Sequence, residues 1–245
     1  MTKVAMKDAA MPRQRRVRTV TAREGKLASH VYEKILDDII HLRRLPGEML
    51  NKEQLRAELG TSAQPVTDAL RKLAGIGLAE VVPQVGSFVS RISARSVIDS
   101  VFLRSAVESQ VVTQLAASRD DAAIRALRDS LAAQEKAVRA LDIDQFHRLD
   151  DAFHLKLYQL LGYSGVWDQT ASARLHLDRL RRLALPREGR LTVSLEEHTH
   201  VVDEIAAGQP HKAALAIEAH IRFNTEDLRR HMRDRQEFFE PDEDT

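Results

Sequence analysis

Asp150 and His154 stand four apart inside a largely apolar stretch. Residues four apart on a helix share a face, so a carboxylate and an imidazole project together from the side that ought to be core. Two more histidines, His198 and His220, lie 22 residues apart, with Gly208–Pro210 turning the chain between them. Each is about ten residues from that turn, so two antiparallel helices would bring both imidazoles to one level. One carboxylate oxygen and three imidazole nitrogens suit a divalent transition ion (Zn, Ni, Mn or Fe), with no thiolate required. Inward side chains on facing helices are the way a bundle holds a metal. The plainer alternative is a buried Asp–His hydrogen bond. His200 could replace His198, but it lies two residues away on roughly the opposite side of the helix, so only one of them can point inward. His30, His41, His147, His176, His211 and His231 are read as ordinary polar residues.

The elements that must position these groups begin after Ser93. Strand-like alternation stops there, and six amphipathic segments follow at 94–117, 121–140, 142–161, 165–185, 191–207 and 210–238. That pattern predicts an all-α bundle over 92–240.

The front of the chain reads differently. Residues 1–26 are basic, with few large apolar groups, and are expected to be a disordered tail. Ser29 is the expected N-cap of a first helix carrying Val31, Ile35, Ile39 and Leu42, which Pro46-Gly47 stops. A short helix from Lys52 to Leu59 ends at Gly60. A third is capped by Ser62, with Pro65 in its first turn and Val66, Leu70 and Leu73 as its buried stripe. Two short strands, Ala79–Val82 and Ser87–Val89, flank the turn Pro83-Gln84-Val85-Gly86. The order predicts a winged helix-turn-helix with a small β-hairpin wing over 27–91, whose third helix enters the DNA major groove. The whole is mainly α.

Charge divides the chain the same way. Residues 1–90 carry 15 Lys/Arg against 10 Asp/Glu, and the remainder 22 against 26, so the basic excess lies in the half expected to meet a polyanion. The sequence has no cysteine, which excludes disulfides and thiolate chemistry and fits a reducing cytoplasm. No apolar run approaches the ~20 residues of a membrane span, and no apolar segment follows the basic start as a secretory signal requires.

Residues 31–89 resemble the DNA-binding domain of the GntR family of bacterial transcription regulators. The likeness rests on Val31-Tyr32, Leu45-Pro46-Gly47-Glu48, Leu55, Leu59-Gly60, Ser62, Pro65-Val66, Ala69-Leu70-Arg71-Lys72-Leu73, Gly77-Leu78 and the wing residues Gly86 and Val89. Two arginines usual at the family's recognition helix are replaced by Ala63 and Thr67, and Val85 stands where the wing often has a cation. The resemblance implies DNA contacts from Lys52, Ser62, Gln64, Thr67, Arg71, Lys72 and Gly86, and the departures from the family pattern imply either an altered operator preference or a loss of DNA binding. Gln64 could read adenine, Thr67 a thymine methyl or a phosphate, and Lys52, Arg71 and Lys72 phosphates.

Residues 93–235 look like the FCD ligand-binding domain of the FadR subfamily of GntR regulators. The matching residues are Leu103-Arg104 through Glu108, Asp150, Phe153-His154, Leu157, Gly162, Glu197-His198 and Ala219-His220. The resemblance implies a metal held by Asp150, His154, His198 and His220, which orients a small carboxylate or hydroxy-acid effector. Arg104 is expected either to clamp that acid or to form a salt bridge. The resulting expectation is a dimeric repressor of operator DNA. A metal-dependent hydrolase or lyase, or a direct metal sensor, would use the same four residues. No HExxH glutamate, P-loop or nucleophile elbow accompanies them.

Overall fold

Val31, Ile35 and Ile39 are wholly buried. Their spacing lays one side of α1 (Ala22–Ile40) against α3 (Ala63–Gly75). The computed structural model describes residues 22–184, 186–187 and 189–241, so most of the expected N-terminal tail, 1–21, lies outside the described residues. Helix α1 starts at Ala22, seven residues before the expected cap at Ser29. The stretch before Ser29 reads Ala-Arg-Glu-Gly-Lys-Leu-Ala, mostly strong helix formers, and they extend the helix past the serine.

Asn51 caps α2 (Lys52–Leu59) by accepting from the Glu53 and Gln54 amides, and Gly60 closes it in the left-handed region at φ 57°. Ser62 occupies the N-cap position of α3 in an extended conformation, but its side chain makes no capping hydrogen bond. Strands β1 (Ala79–Val82) and β2 (Gly86–Val89) form the antiparallel wing, with Ala79 opposite Val89. The left-handed residue of its turn is Gln84, at φ 63°, and the Val85 amide closes the turn on the Val82 carbonyl. The loop after α1 adds to the free edge of β2: Gly47 donates to Val89 and Leu50 to Ser87. These five elements share one core that includes Val31, Ile35, Leu55, Val66, Leu70 and Leu78. The expected winged helix-turn-helix is thus present.

The bundle consists of α4 (Ala94–Ser118), α5 (Asp121–Ala140), α6 (Ile143–Leu160), α7 (Ser164–Gln169), α8 (Ala171–Ala184), α9 (Arg190–Ala206) and α10 (Pro210–Asp234). The segment expected as one helix over 165–185 is two. At the break, the Trp167 carbonyl accepts from the Thr170 amide, the Thr170 hydroxyl and Arg174, so the carbonyl a continuing helix would have used is satisfied locally. Helices α4 and α10 pack along each other, with α8 and α9 beside them and α5 against α6 and α9. Val112, Phe153, Leu157, Val202 and Ile217 are among the residues of the bundle core.

The two domains touch through a short connector. The Ile92 amide donates to Phe238 and the Glu240 amide donates to Ile92, so the segment after α10 pairs with the connector. On the other side, the Ser93 amide donates to His176 Nδ1 of α8. Burial pushes the His176 imidazole down to about 4 from its ordinary 6.5, and the Arg179 charge adds to the drop. The unfolded chain takes up this proton as pH falls through 6.5, whereas the folded chain does not until about 4. The stability this neutral imidazole carries is therefore complete above 6.5 and lost below it, by about 1.4 kcal/mol per pH unit. His176→Gln removes that slope. In urea melts, the gap between wild type and variant should narrow by about 2 kcal/mol from pH 7.5 to 5.0. An unchanged gap would show that His176 is not held neutral.

Candidate metal centre

Helix α6 carries Asp150 and His154 one turn apart, α9 carries His198, and α10 carries His220. Helices α9 and α10 are antiparallel neighbours joined at Ala207–Gln209, where Gly208 turns at φ 63°. The four side chains converge. Each offers one ligand atom, all four atoms lie within 4.8 Å of one another, and all four residues are buried. The Nε2 atoms of His198 and His220 are 3.2 Å apart, and those of His220 and His154 are 3.3 Å apart. Asp150 faces His198 Nε2 at 3.6 Å and His154 Nε2 at 4.0 Å. His200, the alternative to His198, has a side chain 62% exposed and turns outward.

The other nitrogen of each ring is held. His154 Nδ1 meets Glu108 Oε2 at 2.7 Å, His198 Nδ1 meets Gln134 Oε1 at 2.7 Å, and His220 Nδ1 meets Glu197 Oε2 at 2.8 Å. An oxygen acceptor at Nδ1 fixes the proton there and leaves the Nε2 lone pair free. Three such lone pairs aim at one point. The partners come from α4, α5 and α9. Glu108 was visible in the sequence as part of a motif without this role. Neither Gln134 nor Glu197 has this role in the sequence reading, where Glu197 stands only in the Glu197-His198 motif. Glu196 is exposed. A lone Gln or Glu on an amphipathic helix gives no signal of which histidine it will meet.

Electrostatics favours the neutral rings. Burial lowers the pKa of His154, His198 and His220, and for the last two the neighbouring histidines lower it further. Burial alone would raise Glu108, but Arg104 and His154 beside it hold its carboxyl well below the usual range. The donor set fits a transition ion. Nitrogens 2.0–2.1 Å from a tetrahedral ion stand about 3.3 Å apart, which matches the observed spacing.

Arg104 forms the salt bridge that is one of its two expected roles. Its Nε bonds Glu108 Oε1 at 2.7 Å in a fully buried ion pair, while its Nη2 is buried with no hydrogen-bond partner. Arg181 of α8, not anticipated from the sequence, lies against Asp150 and also pairs with Asp151 at 3.0 Å and Asp178 at 3.4 Å. Two further arginines of the bundle are engaged elsewhere. Arg174 stacks on Trp167 at 3.6 Å, and exposed Arg148 bonds Gln145 of its own helix. A groove of about 430 Å³ between α9 and α10 exposes Glu197, His200, Glu204 and the edge of His220.

In the winged-helix domain, Ser62 is exposed at the N-cap of α3, Gln64, Arg71 and Lys72 are exposed on that helix, Thr67 is half-buried, and Lys52 is exposed at the start of α2. Gly86 is half-buried in the wing, beside a groove shared with Lys52. Asp68 occupies two of these groups: Gln64 Nε2 reaches both its oxygens at 3.0 Å and Arg71 Nη1 reaches one at 2.9 Å. Lys72 sits 5.7 Å above the Tyr32 ring.

Comparison with known proteins agrees with this architecture. Residues 27–89 match the bacterial regulatory proteins of the gntR family and residues 99–223 match the FCD domain, just over half of the chain. An HTH-type transcriptional regulator in an unstable DNA locus of Streptomyces ambofaciens is 38% identical over 200 residues, covering 82% of this chain and 84% of that protein. The HTH-type transcriptional repressor RspR of Escherichia coli is 27% identical over 209 residues, covering 85% and 92%. A GntR transcriptional regulator from Rhodococcus sp. RHA1 has the same fold, with a TM-score of 0.69 at 19% identity over 83% of this chain and 97% of that one. These relatives are regulators and not hydrolases or lyases. A gntR-type winged helix followed by an FCD domain defines the assignment: the chain belongs to the GntR family of bacterial transcription regulators.

Proposed function

We propose that this regulator is a dimeric, ligand-responsive repressor that works in the cytoplasm. Residues 27–91 bind operator DNA, and residues 92–240 sense a small carboxylate or hydroxy-acid at a metal held by Asp150, His154, His198 and His220. One observation carries the metal reading: three buried imidazoles, each with Nδ1 on an oxygen, present three free Nε2 atoms 3.2–3.3 Å apart in sequence along the cluster. Without a cation between them, such lone pairs would repel. A bound divalent ion would supply positive charge and open coordination positions for an acid. The buried, unpartnered Nη2 of Arg104 favours an organic anion over the metal alone as signal. Ile98 and Phe102, one turn apart on α4, are 48% and 75% exposed, an apolar stripe that supports pairing with a second copy. Two DNA-binding domains set at a fixed spacing then match two half-sites, and a shift in the bundle changes that spacing. No described helix is long and apolar enough to cross a membrane.

The direct test is metal analysis of the purified protein, together with titration of a duplex from its own upstream region. Near-stoichiometric metal and salt-sensitive DNA binding are expected. Metal-free protein that also takes up no zinc or nickel would refute the sensor half. On the DNA side, Asp68→Asn removes a negative charge from the α3 face and the ion pair that holds Arg71. Binding should tighten at low salt, and the slope of log K against log salt should steepen by about 0.9, one added phosphate contact. A variant with wild-type slope would place Arg71 away from the phosphates.

A further inference from the structure

Helix α8 touches the metal cluster on one side and the DNA-binding domain on another. At 100° per residue, Arg174, Asp178 and Arg181 share one face, and Leu175, His176 and Arg179 share a second about 140° round the axis. From the first face Arg181 lies against the ligand Asp150, with Asp151 and Asp178 as its other partners. From the second, Leu175 packs on the winged-helix core. His176 accepts from the Ser93 amide, which opens α4, and its ring lies over Gly77. Arg179 is completely buried, donates Nη2–H to the Ser90 carbonyl, and leaves Nε and Nη1 without hydrogen-bond partners. Ser90 in turn donates its hydroxyl to Gly77. The connector 90–93 is therefore pinned by α8 on one side and by residues 237–240 on the other.

We infer that α8 transmits a change at the metal centre to the winged-helix domain, through Arg181 at one end and His176 and Arg179 at the other. The inference rests on the metal reading above. Were the four ligands to hold an ion, the Asp150 charge would be drawn from Arg181 and a second positive charge would stand beside it. Arg181 would then be held more by Asp151 and Asp178, which it already reaches, and less by Asp150. Because Arg181 and Arg179 ride on the same turn of one helix, its movement reaches Ser90 without an intervening flexible segment. The buried, half-satisfied Arg179 is an expensive group to keep for packing alone. Its use is to make the connector follow α8.

The test is amide hydrogen exchange of the full chain with and without zinc, with saturation checked by calorimetry. Zinc should change exchange over residues 90–93 by about fivefold or more in the wild type. Arg179→Met replaces a buried ion by an apolar side chain of similar length. It should keep zinc affinity within about twofold, since the site is not in contact with it, yet lose the response at 90–93. His176→Gln, which breaks the second pin, should weaken the response in the same way and serves if Arg179→Met folds poorly. Saturating zinc that leaves 90–93 unchanged in the wild type overturns the coupling while the metal site stands. A wild-type response in both variants also overturns it. Failure of the wild type to bind zinc overturns both readings.

Discussion

Replacing His154 by alanine is expected to weaken binding of a divalent ion by at least ~100-fold, more than loss of any outer partner, which costs roughly 10–100-fold. His154 is fully buried, its Nε2 stands 3.3 Å from that of His220 and faces Asp150, and its Nδ1 is fixed by Glu108. Alanine removes a donor that no described neighbour can replace: Glu108 is held by Arg104, and outward-facing His200 is on another helix. The graded comparison is Gln134→Ala. It leaves all four ligands but frees the His198 ring to choose its tautomer and orientation, so a loss within the 10–100-fold range is expected. Glu108→Gln is the poorer probe, because it also strips a buried Arg104 of its counter-charge. Calorimetric titration with zinc or cobalt reads each variant. Wild-type affinity in His154→Ala would remove the imidazole from the ligand set.

The second large effect is thermal. An ion that binds only the folded bundle stabilises it by mass action, by about 4 kcal/mol at a free concentration a thousand times Kd. For a domain of this size that corresponds to a rise in Tm of roughly 8–16 °C. Trp167, the single tryptophan, sits on α7 against Tyr158 and Arg174, so its fluorescence follows the bundle rather than the winged helix. Adding a chelator should bring the transition back down, and Asp150→Ala should shrink the gain. The ligands lie on α6, α9 and α10, so the ion would add a direct tie among three helices. A melting curve insensitive to both metal and chelator would mean that the tetrad is filled by hydrogen bonds alone.

Much of this molecule was legible from local pattern. The i, i+4 relation of Asp150 and His154 put them on one face, and the Gly208 turn between His198 and His220 put those at one level, because both facts depend only on helix rise and on a residue tolerating positive φ. The same holds for the buried stripes of α1 and α3 and for Gly60 as a stop. Where local pattern misled, a specific hydrogen bond or propensity was responsible. Arg174 and Thr170 satisfy the Trp167 carbonyl and split one expected helix into two, and the formers ahead of Ser29 carried α1 past its expected cap.

The sequence by itself determined the two-part architecture, the regulator family and four residues able to bind a cation, because periodicity, turn chemistry and motif spacing are written in neighbouring positions. Only the tertiary structure decided which oxygen holds each imidazole, which way Arg104 points, that Arg181 stands beside Asp150, and that α8 reaches both the cluster and the connector. Apart from the Arg104–Glu108 pair, those contacts join residues from 23 to 89 positions apart. Such pairings depend on how helices rotate and cross when their apolar faces are buried together, and that arrangement exists only in the folded chain.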